Sequence, residues 1–167
     1  MKKIFFLAAL LLLTFTAFAE TIPANDSRVT YVGRTLVEGT DVSFDWTATY
    51  FRLSFSGRSL TMRATDTKWD ATPEMAATRH NYYNVWIDAP MSAEPHRIIE
   101  VASADTIIEL IDPAYLKKSK IKEHQVIVQK RTEGEQGKMT IHEFATDAKG
   151  FFYQAEPIRK RQLEFIG

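Results

Sequence analysis

The chain has 167 residues, equal numbers of basic and acidic side chains, and no cysteine. A formal charge of zero argues against the concentrated positive face that a nucleic-acid partner requires. Without cysteine there are no disulfides, so the fold must rest on its apolar core.

Lys2 and Lys3 precede an apolar run from Ile4 to Phe18 and the small-x-small triplet Ala17-Phe18-Ala19. This is the pattern of a secretory signal peptide over residues 1–19, cut after Ala19. The run is shorter than the roughly 20 residues of a spanning helix and leads into polar Glu20-Thr21. No cysteine follows the cut, so the expected product is released to the periplasm or medium, with no lipid anchor and no membrane association. Cleavage removes two lysines and leaves 148 residues with 19 basic and 21 acidic side chains, enough for one domain. Residues 20–27 read as a flexible leader, and the domain as residues 28–160.

Along the remaining chain the dominant period is two, the spacing at which strand side chains face opposite ways. Val29 to Val32 and Val42 to Ala48 are the first expected strands. Phe51, Leu53 and Phe55 alternate with polar residues, Gly57-Arg58 turns the chain, and Leu60, Met62 and Ala64 alternate again, which predicts a hairpin with one buried face. Further strands are expected over Tyr82 to Ile87, Ile98 to Val101, Thr106 to Leu110, Gln125 to Lys130, Met139 to Phe144, Phe151 to Gln154 and Leu163 to Ile166. Helix is expected only over Pro113 to Lys118, opened by Asp112 as N-cap with proline at the first position. Short strands without intervening helices predict an all-β fold, a jelly-roll type antiparallel β-sandwich with little helix.

The basic cluster Lys117-Lys118-Ser119-Lys120-Ile121-Lys122 reads as a solvated turn, with no ligand assigned. His80, His96, His124 and His142 form no His-x-His or His-x-x-x-His pair, so no metal is expected. There is no Gly-x-Ser-x-Gly elbow, no phosphate-binding glycine loop and no Ser-x-x-Lys, so no catalytic residue and no cofactor is assigned. Asp41, Asp45, Asp66 and Asp70 flank strands, where aspartate ordinarily accepts turn hydrogen bonds.

Two segments depart from a plain sandwich pattern. Arg63 to Asp70 followed by Asn81 to Asp88 mixes aromatic rings with amides and carboxylates, the chemistry of sugar recognition, in which rings stack on pyranose faces. Trp69, Tyr83 and Trp86 are the candidate carbohydrate contacts. Gln129 to Gly137 is a dense charged turn between apolar strands, with glycines at 134 and 137, and reads either as a solvated hairpin or as a docking loop. The final Arg161 to Gly167 segment reads as a strand delivering a glycine, the usual opening of a tight strand-to-helix turn.

Taken together, Tyr31-Val32-Gly33-Arg34-Thr35, Phe44-Asp45-Trp46, Tyr82-Tyr83-Asn84-Val85, Arg131-Thr132-Glu133-Gly134-Glu135 and Glu164-Phe165-Ile166-Gly167 resemble carbohydrate esterase family 2 over about residues 28–167. The matching part is its N-terminal domain, and the members are two-domain acetyl esterases acting on acetylated plant polysaccharides such as xylan. The resemblance implies a jelly-roll N-terminal half. It also implies that residues 161–167 are the first strand of an SGNH (GDSL-type) hydrolase domain, truncated at the glycine of its Gly-Asp-Ser motif. Nucleophile and base would lie in that C-terminal domain, joined in cis, with an acetylated polysaccharide or oligosaccharide reached through the parent enzyme. Arg131, Glu133, Glu135, Phe165 and Gly167 are then the expected interdomain residues. The domain itself would be a scaffold or cleft wall, or alternatively an autonomous carbohydrate-binding module.

Overall fold

The computed structural model describes residues 19–67, 80–101 and 105–155. Trp69, Asp70, Phe165, Gly167, the expected strand over 163–166 and residues 1–18 of the expected signal peptide lie outside them. In chain order the strands are β1 (Thr21–Pro23), β2 (Thr30–Val32), β3 (Leu36–Glu38), β4 (Asp41–Phe44), β5 (Tyr50–Phe55), β6 (Leu60–Thr67), β7 (Asn81–Ile87), β8 (Arg97–Val101), β9 (Thr106–Glu109), β10 (His124–Lys130) and β11 (Lys138–Thr146). One helix, α1 (Pro113–Lys118), sits between β9 and β10. Its cap is the expected one: the Asp112 side chain accepts a hydrogen bond from Ala114 N, with proline in the first turn.

The strands form two sheets, ordered β3-β4-β11-β6-β9 with β1 also on β11, and β2-β5-β10-β7-β8, all paired antiparallel. The all-β antiparallel sandwich follows from the alternation: Phe51, Leu53 and Phe55 of β5 and Leu60, Met62 and Ala64 of β6 are buried while their neighbours are not. Phe51 reaches across from one sheet to Phe144 of the other, with ring centroids 5.1 Å apart.

Three expectations need correction. Residues 20–27 are not a loose leader: β1 pairs with β11, and Ile22 and Ala24 are buried in the core, because two apolar side chains there have a sheet flank to fill beside β4. The strand expected over Val42 to Ala48 ends at Phe44, where Trp46 O accepts from Thr49 N and Ala48 takes a positive φ of 65° to turn the chain. Phe151 to Gln154 makes only one bridge, Phe152 to Phe55, because β2 already occupies the rest of that β5 flank.

Candidate functional site

Sheet register brings the unusual sequence segments to one end of the sandwich. Val32 lies opposite Tyr50, Phe44 opposite Met139, Thr67 opposite Lys138 and Lys130 opposite Tyr83. The turns after β2, β4 and β10 therefore crowd together with the end of β6 and the start of β7.

The centre of this end is a lysine. The inward positions of β10 are His124, Val126, Val128 and Lys130, so the same alternation that buries two valines carries the Lys130 ammonium inside, where the residue is 1% exposed. A buried ammonium requires acceptors for its protons. Lys130 Nζ donates to Thr132 O at 2.7 Å, Thr132 Oγ1 at 3.1 Å and Glu133 O at 2.9 Å, folding the chain back over its own end. Burial pulls its pKa down from 10.5 to about 8, offset in part by the fields of Asp66, Asp45 and Glu133.

From there a hydrogen-bonded relay crosses to the other sheet. Thr132 Oγ1 donates to Asn81 Oδ1 at 2.7 Å, and Asn81 Nδ2 donates to Asp66 Oδ1 and to Gln136 O, both at 2.9 Å. Thr47 Oγ1 donates to Thr132 O at 2.9 Å, and the Ala48 and Lys130 amides bind Lys130 O and Thr49 O, tying in the turn after β4. The loop from Arg131 to Gly137 is thus held from inside, while Arg131, Glu133 and Glu135 point outward and are exposed. Beside it Arg34 lies over the Trp46 ring at 4.5 Å, and Trp46 and Leu36 are each 53% exposed.

Gly137 closes the loop at φ 126°, and a Cβ there would meet Thr67 O at 2.7 Å, Asn81 Nδ2 at 2.9 Å and Asp66 Oδ1 at 3.1 Å. Gly137→Ala is expected to destabilise the domain by about 2 kcal/mol, through the disfavoured φ and the wedge it drives into the relay. A urea titration checks this, with the midpoint falling at unchanged slope.

Of the expected sugar contacts, Tyr83 has no exposed surface: its ring is in the core, and burial, then the Asp66 charge, push its phenol well above the ordinary value. Trp86 is 4% exposed, its indole donating to Ala93 O at 2.9 Å. Neither offers a ring face to a ligand, because β7 points one ring into the core and the chain after β7 covers the other.

Among the described residues no group of histidines and carboxylates could hold a metal. The histidines take local partners: His124 Nδ1 sits 2.7 Å from Asp88, His80 pairs with Glu100, and His96 meets Tyr115 edge-on. One alignment escaped sequence reasoning because its members are far apart in the chain: Asp41 Oδ2 lies 2.9 Å from His142 Nδ1, and His142 Nε2 lies 2.9 Å from Thr65 Oγ1. It lies on the outer face of a sheet where β6 and β11 pair with each other, and acyl transfer also needs amide donors converging on the oxyanion. Sequence reasoning missed the buried relay around Lys130: it expected a strand over Gln125 to Lys130, but assigned its last residue no role and joined it to neither Asn81 nor Asp66.

The family model for the carbohydrate esterase 2 N-terminal domain matches residues 31–155. The chain belongs to that family. The carbohydrate esterase 2 N-terminal fold is also seen in three solved structures. A family two carbohydrate esterase from Cellvibrio japonicus is 19% identical with a TM-score of 0.64, covering 86% of this chain and 37% of its own. One from Clostridium thermocellum, in complex with cellohexaose, is 16% identical with a TM-score of 0.62, covering 80% and 35%. An acetyl xylan esterase from the rumen bacterium Butyrivibrio proteoclasticus is 11% identical with a TM-score of 0.63, covering 86% and 35%. At these identities the likeness concerns the fold. The chain spans little more than a third of each of those proteins. No curated protein matches the sequence significantly.

Proposed function

We propose that this chain is the non-catalytic N-terminal portion of a secreted carbohydrate esterase that removes acetyl groups from plant polysaccharides, and that it serves as scaffold or cleft wall for an SGNH hydrolase domain. The observation that carries this is the family match over residues 31–155 in a chain that aligns with only 35–37% of three solved esterases. Support comes from the loop end: a buried lysine and a cross-sheet relay fix the backbone of Arg131 to Gly137, while its charged side chains, Trp46 and Leu36 remain outside. A pre-organised loop of that kind docks against a partner at little entropic cost.

The chemistry expected of the parent is acyl transfer, in which a serine activated by histidine attacks the acetyl carbonyl and water then releases acetate. The sandwich supplies shape to that reaction rather than reacting groups. The mature chain alone is expected to leave an aryl acetate unhydrolysed, whereas the same chain joined to an SGNH domain turns it over. Hydrolysis by the chain alone that Thr65→Val or His142→Gln abolishes would move the chemistry into the sandwich and overturn this reading.

A further inference from the structure

The basic cluster assigned no ligand from sequence acquires neighbours in the structure. At the end of the sandwich opposite the Lys130 loop, the turn between β5 and β6, the end of α1 with the following residues, and the turn after β11 border an open cleft of about 750 Å³. That lies within the range of about 300–1,000 Å³ typical of small-molecule sites. Arg58, Lys117, Lys122 and Lys149, drawn from all three segments, line it. None of the ion pairs among the described residues engages these cations.

The cleft's one carboxylate forms no ion pair with them and leaves a surplus of three positive charges, because its oxygens are used in building the wall. Asp147 Oδ2 accepts from Arg58 N at 2.8 Å and Oδ1 from Lys149 N at 3.3 Å, so its charge is directed at backbone amides. Gly150 makes the turn possible: a Cβ there would lie 2.1 Å from Thr146 Oγ1 and 2.4 Å from Ser56 O. The chain then runs along β5, with Ser56 N donating to Phe151 O at 2.8 Å and Tyr153 N to Ser54 O at 2.9 Å. In that extended segment Phe152 turns into the core while Phe151 and Tyr153 share the other side, their rings 4.6 Å apart and Phe151 49% exposed. An aromatic pair beside a net positive cluster suits a ligand with both a flat apolar face and a negative charge.

We propose that this cleft binds an acidic oligosaccharide, a short chain of pyranose rings carrying a uronic acid, with a ring stacked on Phe151 and the carboxylate held by Lys122, Lys149 and Arg58. The proposal rests on the polysaccharide reading above and adds a binding site and a ligand class to it. Neutral sugar would use the rings alone. An acidic peptide would use the cations alone.

The test titrates the whole chain, by calorimetry, with xylotriose bearing one glucuronic acid, with xylotetraose and with an oligoglutamate. Saturable binding of the acidic sugar is expected, with the neutral sugar and the peptide each roughly tenfold weaker. The double reversal Lys122→Glu/Lys149→Glu should weaken the acidic sugar roughly tenfold and leave the neutral one unchanged, while Phe151→Ala weakens both about fivefold. Both variants alter exposed residues, and an unchanged melting temperature confirms that they fold. Equal affinity for the neutral sugar, equal affinity for the peptide, indifference to the variants, or no saturable binding would each overturn the cleft assignment. Deacetylation by the chain joined to its hydrolase domain is read separately: if it persists while binding is absent, only the cleft assignment fails, and if binding is present without it, only the esterase reading fails.

Discussion

Lys130→Ala should destabilise the domain by about 3 kcal/mol, a fall of about 10 °C in Tm for a chain of this size. The substitution removes three hydrogen bonds from an ammonium, to Thr132 O, Thr132 Oγ1 and Glu133 O, and the burial of a four-carbon stem. Relief of the ammonium's desolvation, of which the depressed pKa shows only the part left after the fields of Asp66, Asp45 and Glu133, works in the opposite direction and recovers only part of the loss. Lys130→Met keeps the stem and should lose about half as much. Faster amide exchange confined to Arg131–Gly137 in Lys130→Met would locate the defect in the loop; protection unchanged there would show that the lysine is not what holds it.

The same group sets a pH dependence. Its folded pKa of about 8 lies below the ordinary 10.5, so as pH rises the folded chain gives up this proton first. Between those two values the unfolded chain holds more protons, and this one group's contribution to stability increases; below about 8 it stays at its lower plateau. The wild-type stability profile should therefore rise through that window relative to the profile of Lys130→Met.

Phe51→Ala is the larger loss, about 4 kcal/mol. Phe51 is fully buried between the sheets, 5.1 Å from the Phe144 ring and 5.9 Å from Tyr31, so truncation opens a void where the two sheets meet. With total stability of the order of 5–15 kcal/mol, such a variant is close to unfolding. Thermal melting of Phe51→Ala, Phe51→Leu and the exposed control Phe151→Ala gives the ordering, and equal melting temperatures for Phe51→Ala and the control would remove Phe51 from the core.

The features visible in the sequence were those set by local periodicity. β5, β6, β10 and α1 were readable because alternation, a glycine turn and an Asp-Pro cap are signals between neighbours. β1 escapes a local reading because its partner β11 lies more than a hundred residues away, whereas β3 forms a hairpin with β4 across Gly39-Thr40 whose glycine turn is a local signal that the strand pattern alone leaves unread. The composition around Tyr83 and Trp86 fits a sugar site, but only the register of β7 decides which rings stay dry. Lys130 lies midway between these cases: it shares parity with Val126 and Val128, a signal the sequence reading did not use, and its partners Thr132 and Glu133 become visible only once the chain doubles back. The acidic-sugar cleft was hidden for the same reason, since its cations come from three separated stretches of chain.

β11 has nine residues, bears β4, β6 and β1 on its two flanks, and shifts register between Ile141 and Glu143. At about 3.3 Å per residue it is a strut of about 30 Å, with Lys138 beside the stapled loop and Thr146 leading into the turn that walls the cleft. A saccharide gripped at the Thr146 end would be kept about 30 Å from whatever abuts the Lys138 end, so its benefit to a domain docked there would be that of a tether raising local polymer concentration.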